Sequence, residues 1–229
     1  MSILNWSNHS SVPHYLRDEE HPESLPLILR LEKDPSMQPT HEEALLATSK
    51  AIVELFNDPR ASSSDEWLPY LESWMSGRIR KVSRRARGSA WDQVQELEGI
   101  TVTFGNAEVR VLLPHPLDKP PLEIKKLQVA GLDLPRDPNY NFNSSSKGLF
   151  TSINPDITMT TGKSMAQIGH ATQLAIFNST EEEVRSWDEK GQEVYLGEWL
   201  SPVRWQAEIQ DAGFTEVAPG TVTARGRIS

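Results

Sequence analysis

The stretch Asp156-Ile-Thr-Met-Thr-Thr-Gly-Lys-Ser-Met-Ala-Gln-Ile-Gly-His-Ala171 constrains the fold more than any other part of the chain. Thr161 is a residue type that accepts free backbone N–H groups as an N-cap, so a helix is predicted to begin just after it. Lys163, Gln167, His170 and Leu174 then recur at helical spacing on one face, and Met165, Ile168, Thr172, Ala175 and Ile176 fall on the opposite face. Ala166, Gly169 and Ala171 are small enough for neighbouring elements to approach closely. An ordinary surface helix carries several salt-bridging charges beside a wide apolar stripe. Here a cation, an amide and an imidazole stand in one line near the N-terminal end, where the macrodipole favours anions. Spacing alone leaves two readings open, a polar face turned to water and a site.

Composition narrows the setting. The 229 residues suit one large domain or two small ones. No apolar run approaches the roughly eighteen residues of a membrane span, so no membrane association is expected. The opening residues Met1–His9 carry neither a basic leader nor an apolar signal region. The absence of cysteine removes disulfides, thiolate nucleophiles and thiolate metal sites. Together these features point to a cytoplasmic chain. A net charge of −9 argues against indiscriminate nucleic-acid binding but leaves room for a local basic site.

Residues 1–24 are polar and aperiodic and read as a mobile or loosely docked arm. Its histidines His9, His14 and His21 lack a supporting carboxylate spacing for a metal. Residues 25–140 form an N-terminal α/β half. It contains a buried strand at Leu25–Glu32, a helix from the capping-box pattern Thr40/Glu43 to about Asn57, and a second helix at Glu66–Ser76. Within Gly77–Arg87 the residues Arg78, Arg80, Lys81, Arg84, Arg85 and Arg87 are basic. Read as a helix, this run aligns Arg78, Lys81 and Arg85, which suits phosphate contacts and equally suits a solvated face. A helix at Trp91–Leu97 precedes a hairpin built on Ile100–Phe104, Gly105-Asn106 and Glu108–Leu113. A short helix Leu122–Ala130 closed by Gly131 follows, and then a linker, Arg136–Lys147. In the remaining part, residues 147–229, a strand at Leu149–Asn154 leads into the Lys163 helix. Beyond it lie an acidic helix from Thr180, strands at Glu193–Trp199 and Val203–Ile209, and a turn with a final strand from Asp211 onward.

Two internal echoes suggest that the N-terminal half is a degenerate copy of the C-terminal part. Lys33-Asp-Pro-Ser-Met37 and Pro155-Asp-Ile-Thr-Met159 each stand between a strand and a helix, and Gln128-Val-Ala-Gly131 echoes Gln210-Asp-Ala-Gly213. In such a pair the first copy has lost the Gly-Lys, Gln and His of the second.

Asp156–Ala171 resembles the first signature of the type II peptidyl-tRNA hydrolases, and Asp211-Ala-Gly-Phe-Thr-Glu-Val-Ala-Pro-Gly-Thr-Val-Thr223 resembles that family's second. The resemblance covers roughly residues 147–227. It implies a compact α/β fold with a mixed sheet flanked by helices, and hydrolysis of the ester between peptide and tRNA without metal or organic cofactor. By position it implies a site of Lys163, Gln167 and His170 from the first stretch, with Asp211, Thr215 and Thr221 from the second. Such chemistry needs an activated water, donors for a developing oxyanion and cations for phosphates. Lys163, His170, Asp211 and Thr215 are therefore the expected catalytic residues. Gln167 and Thr221, with Arg78, Lys81 and Arg85 of the basic run, are expected to bind tRNA. Competing roles are equally concrete: Gln167 and His170 satisfying buried backbone groups, and Asp211 forming its own turn.

The chain departs from the family pattern in two places. The family has a helix between the strand matching Glu193–Trp199 and the Asp-Ala-Gly segment, whereas only Leu200-Ser-Pro202 separates the two strands predicted here. A parallel crossover needs about a dozen residues, so a hairpin or sharp corner is expected there. Otherwise Pro120–Gly131 fills the vacant place. The ending Ala224-Arg-Gly-Arg-Ile-Ser229 replaces a Gly-rich apolar tail, and its two arginines are a further candidate for RNA contact. The alternative to an esterase is a non-catalytic RNA- or protein-binding protein with the same fold.

Overall fold

Four strands and an α-helix occur twice in the same arrangement. The computed structural model describes residues 20–142, 147–200 and 203–229, so the arm's residues 1–19, with His9 and His14, lie outside the described part. The first half runs β1 (Glu23–Arg30), α1 (His41–Asn57), α2 (Leu68–Ser76), β2 (Lys81–Ala86), α3 (Ser89–Gln95), β3 (Gly99–Phe104), β4 (Ala107–Leu112), β5 (His115–Pro116) and α4 (Leu122–Lys125). The second runs β6 (Leu149–Ile153), α5 (Thr161–Asn178), α6 (Glu181–Asp188), β7 (Val194–Leu196), β8 (Ala207–Gln210) and β9 (Val222–Ile228). The sheets are ordered β2-β1-β4-β3 and β7-β6-β9-β8, with the short β5 added to β1. In each, the first two strands in sequence are parallel and the last two pair antiparallel. The expected mixed α/β architecture is present, as two mixed sheets flanked by helices.

The long helices form where the local sequence directs. Thr40 and Glu43 make a reciprocal capping box at α1, and Thr180 and Glu183 make another at α6. The cap of α5 is Thr160, one residue earlier than expected. The Thr161 hydroxyl is taken instead by His41 Nδ1 at 2.9 Å and by the Leu134 N–H at 3.0 Å. The helices α1 and α5 pack on each other between the sheets, with Ser49 and Thr172 hydrogen-bonded at 2.8 Å and Phe56 edge-on to Phe177. One apolar core, from Leu27 and Phe56 to Ile176 and Ile228, runs through both halves. Gly226 lets β9 approach α5, because a Cβ there would collide with the Ala171 carbonyl.

Three expectations are corrected. The basic run is strand β2, not a helix, so Arg78, Lys81 and Arg85 do not line one side. Pairing with β1 along Leu25–Arg30 overrides the helical reading. The helix after Pro121 stops at Lys125, because the chain there turns to pair Gln128 with Arg85. Pro120–Gly131 accordingly stays in the first half. Ile124 and Leu127 join Ile28, Trp91 and Val94 on the outer face of the first sheet. Finally, β7 to β8 is neither hairpin nor corner. Pairing directions make these strands parallel on opposite edges of the sheet. β7 ends at Leu196, before the predicted Trp199, and β8 begins at Ala207, after the predicted Val203, which frees Gly197–Gln206 for the crossover. Trp199 lies under Arg225, and Trp205 packs near Gly197 and Arg227 on the outer face. The matching crossover of the first half, from β2 to β3, carries α3.

Candidate functional site

The Lys163 helix meets the loop between β8 and β9. Thr160 caps α5 by accepting from the Lys163 N–H at 3.3 Å, and its own hydroxyl and N–H donate to the Glu216 carboxylate at 2.7 and 2.8 Å. This clamp holds the loop against the helix N-terminus. The loop closes on itself: the Asp211 N–H donates to Thr221 O at 2.9 Å, and the Gly220 N–H donates to Asp211 O at 2.7 Å. Gly213, at φ +77°, makes the turn, and a Cβ there would also strike Pro219.

Inside this frame Asp211 is the centre. Its Oδ1 accepts from the Gly213 N–H at 2.8 Å, the Asx-turn role that its position suggested. Its Oδ2 accepts from Gln167 Nε2 at 2.9 Å and forms an ion pair with Lys163. The Asp211 side chain is 4 % exposed and that of Lys163 13 %. Lys163 Nζ also donates to Thr215 Oγ1 at 2.9 Å. The other end of Gln167 accepts from Thr223 Oγ1 at 2.6 Å. Lys163, Gln167, Asp211 and Thr215, chosen from two separate stretches, thus form one connected cluster.

The remaining candidates divide. His170 lies on the same helix face but points to the first half, with its Nδ1 3.5 Å from Lys81 Nζ. Thr221 turns its hydroxyl to Ala218 O at 2.8 Å, so it serves the loop. Lys81, expected to meet phosphate, is 7 % exposed, donates to Gln173 Oε1 at 2.5 Å and lies 4.7 Å from the Trp74 ring centroid. Burial holds its amine well below the ordinary lysine pKa. Arg85 is spent on Gln128 Oε1 and the Gly131 carbonyl. In the tail, Arg225 pairs with Glu208 and Arg227 stacks on Phe150, so both brace β9 on its outer face. Arg78 does reach the site region: its guanidinium and that of Arg80 stand 5.7 and 5.4 Å from the ring of Phe214, the neighbour of Thr215.

Three participants escaped the sequence reading. Thr223 shares strand parity with Thr221, and only packing on α5 separates their roles. Arg80 lay in the visible basic run but needed the strand assignment to be singled out. Phe214 carried no local pattern at all.

The first half holds the counterpart of the cluster without its chemistry. Aligned on the caps Thr40 and Thr160, Glu43, Ala47 and Lys50 take the places of Lys163, Gln167 and His170. The long loop is replaced by the Gly105-Asn106 turn, whose Asn106 N–H donates to Glu43 at 3.2 Å. The first sequence echo stands in matching connections of a repeated topology, two residues out of register with the caps. The second does not, because Gln128–Gly131 lies beside β2 whereas Gln210–Gly213 ends β8. Among the described residues no three His, Asp or Glu side chains are grouped to hold a metal ion, and no helix is long and apolar enough to cross a membrane. Comparison with known proteins finds no family model and no solved structure that matches the chain.

Proposed function

We propose that the chain hydrolyses the ester bond of peptidyl-tRNA, as its two signature-like stretches imply. The observation that supports this reading best is their convergence: Lys163 and Gln167 on α5 meet Asp211 and Thr215 of the β8–β9 loop in one hydrogen-bonded unit. Lys163 occupies the first turn of α5, where the helix dipole disfavours a cation. A buried carboxylate placed against it offsets that cost, and such a local conflict is typical of a working residue. In this reading Lys163 and the Thr215 hydroxyl face the ester and stabilise the oxyanion, while Asp211, itself held by Gln167, keeps the amine in place. Asp211 keeps about one lone-pair site beyond the three that its protein donors use, enough to accept from a water.

A second reading, RNA binding without turnover, is favoured by the commitment of both Asp211 oxygens to protein donors and by the burial of that side chain. The test is incubation of purified protein with N-blocked aminoacyl-tRNA. Hydrolysis is expected, with a loss of about a hundredfold or more in Lys163→Ala and in Asp211→Asn, both checked for folding. Folded wild-type protein that binds the tRNA without releasing the acyl group selects the second reading.

A further inference from the structure

We infer that Phe214, flanked by Arg78 and Arg80, is a stacking platform for an unpaired nucleotide at the 3′ end of RNA. The inference takes its substrate class from the reading above and assigns part of the binding to the N-terminal half. Phe214 remains 64 % exposed at the tip of the loop that holds Asp211 and Thr215. Lone exposed aromatics are common and need no explanation. This one has two guanidinium groups from a segment more than a hundred residues away within 6 Å of its centroid.

The segment carrying them is held in an unfavourable conformation. Ile79, between the two arginines, has φ 49° and is 1 % exposed. A β-branched residue in the left-handed region is a strained outlier that persists only where its surroundings enforce it. The enforcement is visible: the Ile79 side chain is fixed in the core, and the Arg80 carbonyl accepts from Trp74 Nε1 at 3.0 Å and from the Leu25 N–H at 2.9 Å. With its side chain pulled inward, Ile79 leaves the flanking arginines on the Phe214 side.

The result is a pair of guanidinium groups arranged around an aromatic face. Splayed bases of single-stranded RNA bind by stacking on aromatic rings and guanidinium planes, with cations tracking the phosphates. Thr215, which accepts from Lys163, is the next residue after Phe214, so the platform lies beside the cluster where the ester would be held.

The probe is a short single-stranded RNA with 2-aminopurine as its 3′-terminal base. Wild-type protein is expected to quench its fluorescence. Phe214→Ala should weaken binding about tenfold and abolish the quench, while Phe214→Trp retains both. Arg78→Ala and Arg80→Ala should each reduce the salt slope of binding by about 0.7. Equal binding and quenching by wild type and Phe214→Ala, or no quench with wild type, overturns the platform. Quenching without acyl-tRNA hydrolysis keeps the platform and removes the esterase reading. Hydrolysis with an unchanged KM in Phe214→Ala does the reverse.

Discussion

At the residue scale Lys163 and Asp211 form a largely buried ion pair. Removing the amine strands a buried carboxylate, whereas neutralising the acid keeps the shape and most of the hydrogen bonds. Lys163→Ala is expected to destabilise the fold by about 2 kcal/mol, more than Asp211→Asn does, and the double variant should recover part of the loss; urea denaturation measures all three. His41 offers a second test. Burial, with a smaller contribution from Arg136, lowers its pKa to about 4 against the opposing pull of Glu42 and Asp133. Its Nδ1 faces Thr161 and its Nε2 has no partner, which suits the neutral ring. The folded pKa lies below the unfolded one, so the unfolded chain binds the extra proton. Stability from this group is therefore complete above about pH 6.5 and falls as pH drops toward 4, by roughly 3 kcal/mol in all. His41→Asn should flatten that part of the stability–pH curve.

At the scale of elements, α5 does the positioning. It lies against β9 closely enough that Thr223 reaches Gln167, and Gly226 makes that approach possible. Gly226→Ala is expected to cost about 1–3 kcal/mol by forcing β9 away from α5. If its melting temperature matches that of the wild type, the close packing assigned to this strand is wrong. The two crossovers show how one topology tolerates different coverings. In the first half α3 and α4 bury Ile28 and Leu112; in the second, Trp199 and Trp205 with stacked arginines cover Phe150. Local apolar periodicity signals the first solution in sequence, while the second, two tryptophans flanking a Pro-containing link, gives no such signal.

The whole molecule is a pair of similar α/β units fused through α1 and α5. The segment 132–137 ties them at the helix starts: Leu132 O accepts from the Gly162 N–H, Pro135 O accepts from the His41 N–H, and Glu42 accepts from the Asp137 N–H at 2.8 Å. Because one core serves both units, unfolding should be a single cooperative transition by calorimetry and by tryptophan fluorescence. A fragment of residues 147–229 should fail to show it, since it would expose the α5 surface that includes Phe177. An independent transition in that fragment would mean that the halves are separable. The two units differ at this place: one carries the Lys163 cluster, and the other, with Glu43 in the equivalent position, brings Arg78 and Arg80 near Phe214.

By itself the sequence determined the features whose causes lie within a few residues. The capping boxes at Thr40 and Thr180, the start of the long α5 helix and the Asx turn at Asp211 follow from a side chain reaching its own neighbouring backbone, and the hairpin follows from Gly105 at positive φ. The pairing of signature-like stretches also points to Lys163, Gln167, Asp211 and Thr215, which join one cluster, and to His170 and Thr221, which do not. Only the tertiary structure decided that the basic run is a strand, that Lys81 is buried while Arg78 and Arg80 reach Phe214, and that His170 turns toward the other half. Those outcomes depend on which distant strand pairs with β2 and on where α5 settles. Such choices come from the burial of apolar surface across the whole chain, which no local spacing records.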